Sequence, residues 1–223
     1  MFDSVFLYSA QAVVIASLLF LLVRRQAVVL RLQVFGWMAG VIGIAVRYGP
    51  LGQNGFYSND QMQYESSVRV LMYESWPQTL QWWLDYSKAP YPMAALPLAQ
   101  IGIHHALALK TVSIVCLLAL TRELLQRNGD PKFIGQVRVL YLTGCGLIGS
   151  FFSLLALRET MMMYFVYRFA TDRSLSSRVV SIIIVFLLRS HLAAALLVGE
   201  VALAGWNWVS KRRPNASFTR RCL

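Results

Sequence analysis

Apolar residues in this chain come in long runs without the period-two alternation of a strand. The runs end at clusters of arginine, proline or aromatic residues. Val5–Val23 and Val139–Leu157 carry no charge at all. A helix needs roughly 20 apolar residues to cross a hydrocarbon core of about 30 Å, so both runs predict transmembrane helices. The missing alternation argues against a membrane barrel. Further spans are predicted over Val34–Val46, which stops at the turn signal Arg47-Tyr48-Gly49-Pro50, and from Pro90 to Leu120. Thr160–Tyr167, Val179–Leu188 and Leu192–Val209 complete a set of seven, with the N-terminus outside and the C-terminus inside.

Two of these runs are too short. Thr160–Tyr167 and Val179–Leu188 have about half the length a crossing requires. They predict short or re-entrant helices that leave Arg158, Glu159, Arg189 and His191 near one outward-facing recess. Such irregularity is tolerated where protein shields it or where it lines water. Pro90, Pro92 and Pro97 predict a stepped entry into the third span. Residues 49–89 form the one long polar segment, an outer loop in which Gln61–Ser75 has few breakers and predicts a helix along the membrane surface. Its aromatics, Tyr64, Trp76, Trp82 and Trp83 among them, suit the membrane–water interface. The first run lacks a basic leading segment and a small-residue cleavage site, so it reads as a span and not as a cleaved signal. The expected fold is all-α: a polytopic transmembrane helix bundle of about seven crossings with two short or re-entrant helices. It forms a single membrane domain, 1–223, with an outer loop at 49–89 and a basic cytoplasmic tail at 210–223.

Composition agrees. The 223 residues are 57% hydrophobic and 14% charged, with a mean hydropathy of +0.53, whereas ordinary soluble chains carry about 25% charged residues. The net charge of +11 is an orientation signal, because cytoplasmic loops collect Lys and Arg. Arg24, Arg25 and Arg31 fall in the first inside loop, and Arg122, Arg127, Lys132 and Arg138 in the second. Arg168, Arg173 and Arg178 fall in the third, and the tail holds Lys211, Arg212, Arg213, Arg220 and Arg221. Only Arg47, Arg69, Lys88, Arg158 and Arg189 lie outside, with Lys110 in a span. No basic stripe of the kind that grips nucleic acid is present, so no nucleic-acid partner is expected. Cys116, Cys145 and Cys222 are scattered and show no metal or disulfide spacing.

Ionisable groups at membrane depth are expensive, and a chain keeps them there mainly for a cavity, an ion path or a lipid headgroup. Asp60 is a candidate general base, a role that requires hydrogen-bond reach to an acceptor hydroxyl; the alternative is a solvated loop carboxylate. Glu65, five residues on, supports it. One further carboxylate five residues away is a weak signal for a hard divalent cation, so no metal or cofactor is assigned. Arg158 offers a planar two-point grip on a phosphate, or neutralises its neighbour Glu159. Arg189 interrupts an apolar run beside His191; it grips an anionic group or snorkels to the interface. His104 and His105 point in different directions on a helix, so at most one is expected to line the cavity. Lys110 has no acidic partner at helical spacing and is assigned to a phosphate or to Glu200.

These segments resemble a known family. Phe56-Tyr57-Ser58-Asn59-Asp60-Gln61, Pro90-Tyr91-Pro92, and His104-His105-Ala106-Leu107-Ala108-Leu109-Lys110 are followed by Leu157-Arg158-Glu159 and Leu187-Leu188-Arg189-Ser190-His191. Together they resemble bacterial GT-C superfamily integral-membrane glycosyltransferases and, more loosely, polysaccharide polymerases of the EpsG and Wzy type. The resemblance implies that Asp60 is the catalytic base. It also implies a polyprenyl-phosphate-linked sugar donor, held by basic residues at the outer face of a bacterial inner membrane, and a glycan, lipid or protein acceptor. In this scheme Arg158, Arg189, His191 and Lys110 bind the phosphate, while Glu65, Glu159 and His104 support the site. This chain departs from the family in flanking Asp60 with Asn59 and Gln61 instead of a second acid, and in placing that loop after the second span. Two other readings use the same residues: a non-enzymatic transporter or flippase for an anionic lipid-linked saccharide, and an accessory subunit.

Overall fold

A computed structural model of the chain describes residues 2–49, 59–74, 78, 81, 88–127, 153–155 and 158–212, which are helical or lie in the turns and breaks between helices. The helices are α1 (Phe2–Val23), α2 (Val28–Tyr48), α3 (Asn59–Leu71), α4 (Pro90–Gln100), α5 (His105–Arg127), α6 (Glu159–Thr171), α7 (Leu175–Leu188) and α8 (Ser190–Arg212). The expected fourth span, Val139–Leu157, falls outside the described residues apart from 153–155.

α1 and α2 pair as a hairpin through matched faces. Tyr8, Ala12, Ile15, Leu19 and Val23 recur every three or four residues on α1, and Leu30, Val34, Trp37, Val41 and Ala45 do so on α2; all are buried in one core. The opposite faces are no less apolar: Leu7, Val14, Leu18 and Leu22 are exposed on α1. A helix hydrophobic all round is one that lipid surrounds. These two helices, 22 and 21 residues long, are long and apolar enough to cross a membrane. A third crossing is added if α4 and α5 count as one span.

α4 and α5 do not run straight. They meet at a bend of 118°, so the eleven-residue α4, roughly 16 Å long, folds back on α5. The break lies at 101–104, not at the prolines: Pro90 and Pro92 occupy the first turn, where a missing N–H costs nothing, and Pro97 lies within the helix. Gly102 turns the chain with φ +90°. α5 then separates two cores. Leu107, Ile114 and Leu118 face α1 and α2, while Ala108, Leu109, Val112 and Cys116 face α3, α4, α6 and α7. The helix expected along the surface is α3, but one side of it (Tyr64, Glu65, Val68 and Leu71) is buried against the bundle.

α6 and α7, with 13 and 14 residues, are each roughly 20 Å long and form a short hairpin, in keeping with the two short runs in the sequence. The turn is locked by Asp172, which accepts hydrogen bonds from Arg168 (2.6 Å), the Ser177 hydroxyl (2.7 Å) and the Ser174 backbone (3.3 Å). The Arg168 guanidinium first, then these donors, hold the Asp172 carboxyl well below the usual carboxylate range. Its contribution is therefore present above pH ~4, the ordinary aspartate value, and is lost only as pH falls through the depressed folded value. Glu123 ties α5 to the same hairpin by accepting from the Tyr164 hydroxyl at 3.5 Å and approaching Arg168 at 4.0 Å. α7 and α8 also form a hairpin. Arg178 and Glu200, each eleven positions from Arg189, pair at 2.7 Å, so the chain reverses about Arg189. Arg178 also donates Nε to the Phe169 carbonyl at 3.0 Å. Glu200 is thus paired with Arg178, which removes it from the two alternatives, a phosphate or Glu200, expected for Lys110.

One close packing contact is testable. A Cβ at Gly40 would sit 2.7 and 2.8 Å from the Leu154 methyls, whereas a Cβ at Gly43 meets nothing within 4 Å. Gly43→Ala should be neutral or stabilise by up to about 1 kcal/mol, and Gly40→Ala, which obliges the Leu154 side chain to move, should be the less stable of the two variants. Thermal unfolding of the detergent-solubilised variants checks the contrast.

Candidate functional site

Buried polar groups gather where α1, α3, α4 and α5 meet. α3 and α4 run side by side in the same direction: Lys88 lies 3.9 Å from Asp60, the rings of Tyr64 and Tyr91 meet edge-on at 5.1 Å, and Met72 Sδ is 3.1 Å from His105 Nε2. The α3 helix thereby carries Glu65 into the interior, where it is 3% exposed. Arg69, one turn on, approaches it to 3.6 Å. Lys110, 1% exposed, lies on the face of α5 toward α1, with Nζ 5.8 Å from the centre of the Tyr8 ring. The Glu65 carboxylate is within electrostatic range of both Lys110 and Tyr8. In a low-dielectric interior such opposite charges compensate each other's lost hydration.

The break between α4 and α5 belongs to this cluster. A chain that leaves helical geometry inside a membrane must find other partners for its backbone. Gln11 supplies both: Nε2 donates to the Gly102 carbonyl at 2.9 Å, and Oε1 accepts the His104 backbone N–H at 3.0 Å. One turn earlier on the same helix, the Tyr8 ring meets His104 edge-on at 5.3 Å. His104 and His105 diverge as expected, one toward Tyr8 and the other toward Met72. At the far end of α4 the Tyr91 hydroxyl donates to the Leu109 carbonyl at 3.0 Å and shares a 2.6 Å hydrogen bond with Ser113.

The second group lies across the core of Tyr64, Tyr91, Leu109, Met161 and Leu188. Arg158 precedes Met161 by one turn at the start of α6, and Arg189 follows Leu188. Asp60 precedes Tyr64 by one turn, so all three residues are within a turn of one core. Their environments differ. Asp60 is half-exposed (48%) and shares an ion pair with Lys88. Arg158 is buried, and its Nε meets no acceptor among the described residues. Glu159, in electrostatic range of Tyr91, is not ion-paired with Arg158, and its Oε2 also meets no donor there. Arg189 is half-buried in extended backbone at a helix break, not within a helix. His191 is exposed on the first turn of α8.

Buried polar atoms normally find partners. Here the Tyr8 hydroxyl, Arg158 Nε and Thr160 Oγ1 meet none among the described residues, and they flank the two groups. No cluster of three or more metal-ligating side chains occurs among the described residues. The sequence pattern did not single out Tyr8 or Gln11, and it gave Tyr91 and Lys88 no role in the site. Tyr8 and Gln11 had a legible signal, since polar side chains three apart in a span need partners on another helix. Comparison with known proteins adds no relative: no family model, curated protein or solved structure matches the chain.

The Gln11 clamp yields a direct test. Gln11→Leu removes partners from a backbone donor and a backbone acceptor, and should lower stability by about 1–3 kcal/mol. Gln11→Glu, which keeps the acceptor for His104, should lose less. Unfolding temperatures in detergent rank the three proteins.

Proposed function

We propose that this chain is a membrane glycosyltransferase that moves a sugar from a polyprenyl-phosphate-linked donor to an acceptor at the outer face of a bacterial inner membrane. The observation that carries the reading is the grouping of an accessible carboxylate, Asp60, and two arginines at helix ends, Arg158 and Arg189, around the core of Tyr64, Tyr91, Met161 and Leu188. Transfer of this kind needs a base for the acceptor hydroxyl, cationic groups for the departing phosphate and a fixed geometry between them. Asp60 takes the acceptor proton, and Arg158 with Arg189 holds the phosphate. The buried Glu65 and Lys110 set the field behind them. Lys88 shares Asp60 with solvent and leaves room for a hydroxyl to approach.

A second reading is favoured by a different observation. The break at 101–104, clamped by Gln11 beside buried Lys110 and Glu65, is the kind of discontinuous helix that carries polar cargo at membrane depth. On that reading the chain moves an anionic lipid-linked saccharide without reacting it.

Two substitutions separate these readings. Asp60→Asn should reduce sugar transfer by about 10²–10⁴-fold, the range of a lost general base, while leaving binding of undecaprenyl phosphate unchanged. The half-exposed pair with Lys88 contributes at most about 1 kcal/mol, so folding should survive. Undiminished transfer would exclude Asp60 as the base and the mechanism as described, whereas undecaprenyl-phosphate binding without any sugar transfer by the wild type would leave the transporter. Arg189→Lys should weaken undecaprenyl-phosphate binding by about tenfold or more, because an ammonium cannot reproduce the planar two-point grip. Unaltered affinity in both Arg189→Lys and Arg189→Leu would show that Arg189 only terminates α7.

A further inference from the structure

The end of the molecule opposite the Lys110 cluster carries a second unassigned feature. Where the α1–α2 turn meets the end of α5, a recess of about 250 Å³ is lined by Gln26, Ala27, Leu30, Arg122, Leu125 and Gln126. Its floor is apolar, with Leu30 buried and Leu125 half-buried, and its rim is polar. No acidic residue lines it among the described residues.

Charge at this end is divided unevenly. Among the described residues, the acids at this end of α5–α8 are engaged: Glu123 with Arg168 and Tyr164, Asp172 with Arg168, and Glu200 with Arg178. Arg24, Arg25 and Arg122 are exposed and have no acidic partner among the described residues. Arg31, on the first turn of α2, has a buried Nε that meets no acceptor there. The recess therefore combines an apolar floor, amide donors from Gln26 and Gln126, and unbalanced positive charge, at the end of two helices that lipid surrounds.

We infer that this recess binds an anionic diacyl phospholipid from the leaflet around the α1–α2 turn. Arg122, in the wall of the recess, takes the headgroup phosphate, Arg24 of the adjoining α1–α2 turn adds to the positive field, and Leu30 with Leu125 takes the start of an acyl chain. Basic pockets between helix ends hold anionic headgroups in this way. A soluble anion would satisfy the arginines but leave the apolar floor unused. The inference is independent of the chemistry at the other end.

The test is native mass spectrometry of the delipidated full chain, offered dioleoyl phosphatidylglycerol or dioleoyl phosphatidylcholine. The wild-type protein should retain the anionic lipid in preference to the zwitterionic one. Each of Arg24→Gln and Arg122→Gln should weaken retention about fivefold, equivalent to about 1 kcal/mol per basic residue at an anionic surface, and the pair more than either alone. Both residues are exposed, so the double variant should unfold at the wild-type temperature. Leu125→Trp, which fills the floor without changing charge, should also lower phosphatidylglycerol retention. Equal retention of the two lipids by the wild type, or unchanged phosphatidylglycerol retention in the double variant, overturns the proposal. Displacement of the lipid by excess inorganic phosphate also overturns it, in favour of a soluble anion.

Discussion

The need to satisfy backbone groups inside an apolar bundle governs this architecture, and the amide of Gln11 answers it where the chain is most irregular. By bonding both Gly102 and His104, it lets α4 end and α5 begin at 118° without leaving the groups at that corner bare. The rest follows from the corner. α4 folds back so that Tyr91 reaches Leu109 and Ser113, α3 lies along α4, and Glu65 comes within electrostatic range of Lys110. A straight span would have carried Pro90–Gln100 away from α5 and left α3 without its packing partner.

α5 is the element on which both halves of the molecule depend. One face packs on the α1–α2 hairpin and the other on α3, α4, α6 and α7. Lys110 sits on the first face and Ser113 on the second, less than one turn apart. The buried polar cluster therefore reaches both faces of this one helix. A shift of α5 along its axis would move both together. The arginine-rich end is fixed separately, by Arg168 and Arg178, each of which engages both a carboxylate and another group.

Much of the helical skeleton was legible in the sequence, because a long unbroken apolar run satisfies its backbone in few ways besides a helix. The first two spans and the α6–α7 pair appear close to where the hydrophobic pattern puts them, and the polar segment near Gln61 is a helix as expected. The pattern failed at the turn into α5. Proline is the usual punctuation, but Pro90 and Pro92 sit where proline is harmless, and the chain breaks at Gly102 and its neighbours instead. Periodicity also could not foresee that Glu65 would be buried and Asp60 exposed. They are five residues apart, about 140° around a helix, and only the position of α4 decides which one faces inward. The reversal at Arg189 was legible, since the apolar runs Val179–Leu188 and Leu192–Val209 stop and start on either side of it.

That reversal bears on how the chain enters a membrane. With 14 residues, α7 cannot cross hydrocarbon by itself, and its first turn carries Arg178, whose charge is costly to submerge unaccompanied. Its partner Glu200 is synthesised 22 positions later, well into α8. Until that carboxylate emerges, α7 has neither the length nor the neutralising group to stay put. The two helices are therefore a single unit of insertion, and a chain interrupted between Arg189 and Glu200 would leave α7 without a stable place in the bilayer.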